Sequence, residues 1–223
     1  MWYKVNRIMV WDKQVRPYRY NPWSNTLLYM PLNWNVKDEV SWNNGTWSWT
    51  AQYQTLASWL KVANCNTSSY ILTPSFAMNT AMTISWWLYR SGGNVIFRAD
   101  GKTGTRNLYE ISVNENWWAW WWRYYNWNSY LYNSWSNSWW KHIVATFWNE
   151  WIKIYVNGIH THTTNITSFV WKTQQWWINY DQYSTVTPIP WAWYYSDLIV
   201  ESRAWTATEV SNYYNQTKSN YWL

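Results

Sequence analysis

The sequence predicts an all-β fold, two antiparallel sheets packed as a jelly-roll β-sandwich and closed by one short C-terminal helix. Three observations predict it. From Thr26 onward, short segments rich in β-branched and aromatic residues recur with stretches of period-2 alternation. Turn signals separate them at short intervals. A single segment near the C-terminus carries helical spacing behind a capping signal. The 223 residues suit one domain of the larger all-β kind, with chain enough for a sizeable core.

The elements follow in order. Residues 1–25 read as a short basic leader, with RIMV and KQVRP as a small hairpin and NPWSN (Asn21 to Asn25) as a turn or linker. Residues 26–223 read as the sandwich domain. Its strands are expected at LLYMPL, YILT, MTISWWLYR, NVIFRA, LYEISV, HIVATF, IKIYVNG and SDLIVESR. RADGKTGT reads as the hairpin loop between NVIFRA and LYEISV. AWTATEVSNYYNQTK reads as the helix. Thr206 and Glu209 form the T-x-x-E capping box, and Val210, Tyr213 and Tyr214 fall on one face.

The composition holds one anomaly. The chain has 28 tryptophans and 6 glycines, where an average chain of this length carries roughly 16 glycines. The tryptophans sit where a backbone turn wants glycine. Trp34, Trp42, Trp47, Trp49, Trp148 and Trp151 all lie in turn-like segments, and VWDK at Val10 to Lys13 becomes a hairpin turn if Trp11 is glycine. A gene that uses UGA for glycine, translated with UGA as tryptophan, gives this pattern. Trp87, Trp140 and Trp205 sit in strand and helix-start positions and read as genuine. The segment NENWWAWWWRYYNWNSYLYNSWSNSWWKH, so corrected, reads as a glycine-rich loop, a short tyrosine strand, a second loop, and then Trp140 opening a strand.

In this form several stretches, in order, resemble the laminin-G-like, concanavalin A-like lectin/glucanase superfamily. LLYMPLNWNVKDEVSWNNGT is similar to its opening strand and turn. AMTISWWLYR resembles its T-I-S-x-W strand, WWKHIVATFWNEWIKIYVNGI its Y-V-N-G hairpin, and YYSDLIVESRAWTATEVSNYYN its closing strand and helix. The resemblance covers about residues 26–217. It implies a concanavalin A-like sandwich that hosts lectins, glycosidases and pure interaction domains. The leader IMVWDKQVRPYRYNPWSNTLLY more loosely resembles segments that precede such domains in phage tail-associated proteins.

Candidate chemistry is sparse. Glucanases of this superfamily carry E-x-D-x-x-E, carboxylates that flank a glycosidic bond. That motif is absent, and Glu110 and Glu115, five apart, fall on opposite sides of a continuous strand. No enzyme activity is expected, and no catalytic residue is assigned. His160 and His162 in IHTHTTN lie at i, i+2, hence on one face of a strand, but two histidines do not complete a zinc site. Cys65 is the single cysteine, so no intrachain disulfide forms, and it reads as a packed thiol. No cofactor is expected. Relatives often bind calcium through Asp, Asn and carbonyl oxygens, and Asp38, Asp100 and Asp181 leave that alternative open.

Sugar binding is the better fit, since aromatic faces stack on sugar rings and Asn or Asp side chains read hydroxyls. The candidates are Tyr124, Tyr125, Asn126, Asn128 and Tyr130 in RYYNWNSYLY, with Tyr180, Asp181 and Tyr183 in a later loop. The net charge of +6 and pI near 9.2 favour anionic partners such as cell-surface polymers. No Lys/Arg block marks a nucleic-acid footprint, and no apolar run is long enough to insert in a membrane. The expectation is a non-catalytic carbohydrate- or surface-binding module, extracellular, on a cell surface or on a virion, with a glycan or cell-surface polymer as partner. No signal peptide is seen. A glycoside hydrolase of the same fold and a purely structural virion or scaffold component are the alternatives.

Overall fold

The computed structural model describes residues 20–48, 51–65, 69–90, 94–99, 109–116, 119–124, 128–132, 140–165, 173–178, 180–181, 187–188 and 193–221, with those between 90 and 132, and 174, 177, 180, 181, 187, 188 and 193, described by backbone and register. The first described strands are β1 (Thr26–Met30), β2 (Thr46–Trp47), β3 (Tyr53–Thr55), β4 (Lys61–Cys65), β5 (Ile71–Leu72), β6 (Phe76–Ala77) and β7 (Ala81–Arg90). The middle of the chain gives β8 (Asn94–Ala99), β9 (Tyr109–Asn116), β10 (Ala119–Tyr124), β11 (Asn128–Tyr132), β12 (Trp140–Trp148), β13 (Trp151–Val156) and β14 (Ile159–Asn165). Then come β15 (Thr173–Gln174), β16 (Trp176–Ile178), β17 (Tyr180–Asp181), β18 (Thr187–Pro188) and β19 (Trp193–Glu201). Helix α1 (Ala207–Thr217) and a 3-10 turn (Lys218–Tyr221) follow.

These strands build the expected all-β, two-sheet antiparallel sandwich. One sheet runs β14-β13-β12-β7-β19-β4-β3, with β1 also paired to β19, and the other runs β11-β10-β9-β8-β16-β5-β2. The eight segments expected to be strands appear as β1, β5, β7, β8, β9, β12, β13 and β19. Trp47, read in a turn-like segment, lies in β2 and packs against the main core, and one longer segment also departs from expectation. AWWWRY, read as part of a glycine-rich loop, is β10, which pairs with β9 on one side and β11 on the other. Loop composition was outweighed there by ladder hydrogen bonds on both edges, since a backbone paired on both sides leaves no amide unsatisfied. The leader hairpin expected in residues 1–19 lies outside the described residues.

Burial explains why each strand sits where it does. β12 is buried on both faces along Trp140 to Phe147, so it reads as a near-continuous apolar run. Its neighbour β13 alternates at its start, with Ile152 and Ile154 inward and Trp151 and Lys153 exposed. Between the sheets lies the main core. Leu28, Met30, Ile71, Met82, Ile84, Trp86, Ile143, Phe147, Ile154, Trp176, Ile178 and Leu198 all belong to it. Full burial of each large side chain contributes about 1.5–3 kcal/mol.

A third layer covers the other face of the eight-stranded sheet. Tyr20, Tyr29, Val144, Tyr155, Ile199 and Trp205 meet Val210 and Tyr213 of α1 there. Beside them Leu60, Val62, Trp87 and Trp140 close around Tyr221. Thr206 caps α1 as the sequence predicts: its hydroxyl accepts from the Glu209 N–H, and the Glu209 carboxylate accepts from the Thr206 N–H at 2.8 Å. That pair satisfies two of the donors a helix start leaves open.

Two glycines are required by geometry. Asn157-Gly158 joins β13 to β14 with φ of 51° and 78°, the two-residue hairpin turn with both residues left-handed. A Cβ on Gly45 would meet the Leu72 carbonyl oxygen at 2.7 Å. Other turns place bulky residues where glycine is preferred. Trp42 and Trp59 have φ of 63° and 64° and are 72% and 63% exposed.

Candidate functional site

Three buried carboxylates are engaged as hydrogen-bond acceptors. Asp38 is fully buried, and its oxygens accept the N–H groups of Tyr29, Val40 and Ser41 at 2.9–3.0 Å, with the Ser41 hydroxyl as a further donor. Asp197 sits on a bulge of β19 with φ of 48°, and its carboxylate accepts the Tyr221 hydroxyl at 2.8 Å and the Tyr29 hydroxyl at 3.2 Å. Burial first, and then the nearby Asp197 charge, push the Tyr221 phenol well up. Glu201 is buried too. It accepts from the Trp205 indole N–H at 2.6 Å and from the Tyr20 hydroxyl, and it pairs with the Arg203 guanidinium at 2.9 Å. Asp197 and Glu201 fasten the strands to the C-terminal layer and the segment around Tyr20, whereas Asp38 ties β1 to the turn that follows it. Each is already occupied by donors, the arrangement expected of a carboxylate used for structure.

Glu110 and Glu115 are the pair the sequence singles out. β9 is continuous from Tyr109 to Asn116, so the two stand on opposite faces, Glu110 opposite Arg98 and Glu115 opposite Trp120. They do not form the facing pair that hydrolysis of a glycosidic bond needs.

The histidines separate in a way their spacing did not indicate. In β14, His162 stands opposite Ile154, whereas His160 stands opposite Tyr155, and the register shifts between them so that Thr161 is the extra residue of a bulge. Ile154 faces the main core and Tyr155 the outer layer. The expectation that both histidines share one face is therefore corrected: the bulge turns them to opposite sides. His142 is fully buried, with Nε2 2.8 Å from the Ser85 hydroxyl and its ring stacked on Trp87. Burial holds its pKa down to about 3, so it is neutral. Burial likewise pushes the Cys65 thiol up, out of nucleophile range. Among the described residues no three His, Cys, Asp or Glu side chains gather as a metal site. Asp100 lies outside them.

The expected sugar contacts divide between two places. Tyr124 and Asn128 are direct partners across the β10–β11 ladder, and Tyr130 stands opposite Trp122. Tyr180 and Asp181 form β17, which pairs with β18 and lies beside β8, separated from β10 by β9. Tyr125, Asn126 and Tyr183 lie outside the described residues.

Register also assigns faces. Ile178, buried in the core, is paired with Phe97, which is paired with Ile111. Val113, two residues on, is paired with Trp122, which is opposite Tyr130. Tyr124, Asn128 and Tyr130 thus stand on the face that continues the core side. The opposite face holds Arg98 opposite Glu110, then Ile96 opposite Ser112 opposite Arg123 opposite Ser129, then Asn94 opposite Asn114 opposite Trp121 opposite Leu131. Sequence reasoning missed this row, although the signal is present: in YEISVNEN, Glu110, Ser112 and Asn114 alternate with Ile111 and Val113.

Comparison with known proteins supports the architecture. No protein-family model and no curated protein sequence matches the chain. Among solved structures it is similar to domain 4 of AbnA, an extracellular arabinanase of Geobacillus stearothermophilus, in complex with arabinotriose, at 15% identity and a TM-score of 0.59, covering 84% of this chain and 97% of that one. It is also similar to the binding domain of Paraclostridial Mosquitocidal Protein 1, at 16% identity and a TM-score of 0.62, and to the Botulinum neurotoxin serotype G binding domain, at 14% and 0.62. The chain covers 52% and 50% of those two domains, about half their length. At these identities the shared property is the fold: an all-β sandwich with the strand layers found here.

Proposed function

We propose that this protein is a non-catalytic carbohydrate-binding module of the laminin-G-like, concanavalin A-like kind. The observation that carries the reading is the disposition of the acids. Asp38, Asp197 and Glu201 are buried and engaged, and Glu110 and Glu115 stand on opposite faces of β9. The seven-stranded sheet meanwhile places Asn94, Arg98, Ser112, Asn114, Arg123 and Ser129 on one face by register. The likeness to domains whose solved structures hold arabinotriose or N-acetylneuraminic acid supports it. A glycan array checks the reading: binding to at least one saccharide class, without release of reducing ends, is expected. An array with no bound saccharide overturns it.

The finer assignments belong to the same proposal. The module works outside the cell, on a cell surface or a virion, as the leader's resemblance to phage tail-associated proteins suggests. Its exposed turn tryptophans are glycines in the native protein, encoded by UGA in a genome that reads that codon as glycine. The geometry at Trp42 and Trp59 supports this, because a left-handed φ costs a bulky side chain about 1–2 kcal/mol and costs glycine nothing. The codons decide it: UGG at Trp42 and Trp59 overturns the recoding, and tail genes as neighbours support the virion setting.

A further inference from the structure

We infer that the outer face of the eight-stranded sheet holds a neutral saccharide on the aromatic row formed by Trp140, Tyr89 and Tyr194, with the Asn64 amide at its end. The inference rests on the carbohydrate-binding reading and adds the class of sugar and the side chains that hold it.

Register builds the row. Trp140 of β12 is paired with Tyr89 of β7, Tyr89 with Tyr194 of β19, and Tyr194 with Asn64 of β4. All four stand on the outer face, because their strand neighbours Leu88, Tyr195, Ala63 and Cys65 belong to the main core. The rings hold one another in place: the Tyr89 centroid lies 5.5 Å from that of Trp140 and 5.2 Å from that of Tyr194. Tyr221, near the end of the C-terminal layer, stacks on Trp87 in the next row and packs against Trp140 at 4.8 Å. The sheet and that layer bury Trp140 but leave Tyr89, Tyr194 and Asn64 only half-buried. Aromatic rings fixed at the rim of a packed layer offer apolar surface at little further entropy cost, and the C–H groups on one face of a sugar ring can cover it. Asn64 adds the polar end. Its amide oxygen is shielded from solvent and has no hydrogen-bond partner among the described residues. A turn about the last side-chain bond, which is soft, brings that oxygen to a hydroxyl of a sugar lying on Tyr194 and matches an acceptor that is costly to leave unmade. No ionised side chain stands in this row or in the next, His142–Trp87–Ser196, where the buried imidazole is neutral. A neutral sugar therefore fits, and an acidic one finds no counter-charge. From β12 to β4 the row spans about 14 Å at a strand spacing of about 4.8 Å, room for a short oligosaccharide. Tyr89, Tyr194 and Asn64 are untouched by the reading of UGA codons, and Trp140 is among the tryptophans whose strand position marks them as genuine.

Calorimetric titration of the whole chain with cellotriose, xylotriose, arabinotriose and lactose, and with trigalacturonate as the acidic control, tests it. At least one neutral sugar is expected to bind, with an affinity that raised salt leaves unchanged, and to shift the Asn64 side-chain amide signals in an NMR titration. Tyr194→Ala is expected to weaken that binding by about tenfold, whereas Tyr194→Phe, which keeps the ring, leaves it within about threefold. Asn64→Ala is expected to weaken it by about threefold to tenfold while the melting temperature stays unchanged or rises, a separation that a merely structural residue would not give. Asn64→Ala also decides the matter if Tyr194→Ala fails to fold. Neutral-sugar binding left untouched by a folded Tyr194→Ala or by Asn64→Ala overturns the inference, as does binding confined to trigalacturonate; either result leaves the carbohydrate reading standing. No saccharide bound at all overturns both.

Discussion

Two sets of tryptophans in this molecule behave as different residues. Trp86, Trp87, Trp140, Trp176 and Trp205 are at most 6% exposed and pack within the two cores. Trp87 stacks on Tyr221 at 4.1 Å and on His142 at 5.0 Å, and Trp176 stacks on Phe76 at 6.1 Å. Trp23, Trp34, Trp42, Trp59 and Trp148 are 59–72% exposed. What these indoles find is incidental: Lys61 lies over Trp34 and Lys37 over Trp42. The lesson is that residue type alone says little about a position. The first set is specified by its surroundings on every side; the second is tolerated where the backbone turns.

Trp87 is the residue whose loss the buried set tolerates least. Trp87→Ala removes the centre of the stacked cluster and is expected to destabilise by about 3–5 kcal/mol in chemical denaturation. A loss below 1 kcal/mol would remove Trp87 from the specified set.

Acid provides the next test, because His142 lies against Trp87. In the fold this imidazole takes a proton only near pH 3, against 6.5 in the unfolded chain. Between those values the unfolded state binds more protons. The stabilising contribution is therefore whole above pH 6.5 and falls by up to about 1.4 kcal/mol per pH unit as pH drops toward 3. His142→Gln is expected to flatten that slope in a series of melts across this window. A slope unchanged by the substitution would show that the ring is not sequestered.

A smaller effect is expected at Trp205. Trp205→Phe keeps most of the packing but removes the indole N–H from the buried Glu201 carboxylate, at a cost of about 1–3 kcal/mol. In the exposed set the sign reverses. Trp42→Gly relieves a left-handed backbone and is expected to stabilise by about 1 kcal/mol. Destabilisation of that size would show that the Lys37–indole contact matters and would weaken the recoding proposal.

Much of the fold was legible because the physics is local. The capping box at Thr206 and Glu209 needs only two side chains and three residues of chain, and the Asn157-Gly158 turn needs only its own φ angles. NVIFRA became β8 with the same bounds, since alternation and β-branching act within the segment. The strand β10 was missed because its evidence is not local: AWWWRY is held by partners on both edges, and its composition suggested a loop. The site was less legible still. Tyrosines and asparagines attracted notice as sugar-binding types, but the face on which a residue stands depends on register across several strands. Arg123 stands opposite Ser112 and Ser129, residues that single-segment reading has no means of placing beside it. The bulge at Thr161, likewise, moved His160 and His162 apart against their spacing.

That bulge has a consequence for self-association. β14 is the outermost strand of its sheet, and a regular strand there would offer its unpaired amides and carbonyls to another chain. The extra residue interrupts that row and increases the local twist, and the Thr161 hydroxyl is turned inward to the Ile154 carbonyl. An incoming strand therefore meets a kinked template rather than a straight one at this edge of the sheet, which makes the β14 edge a poor end for fibril growth.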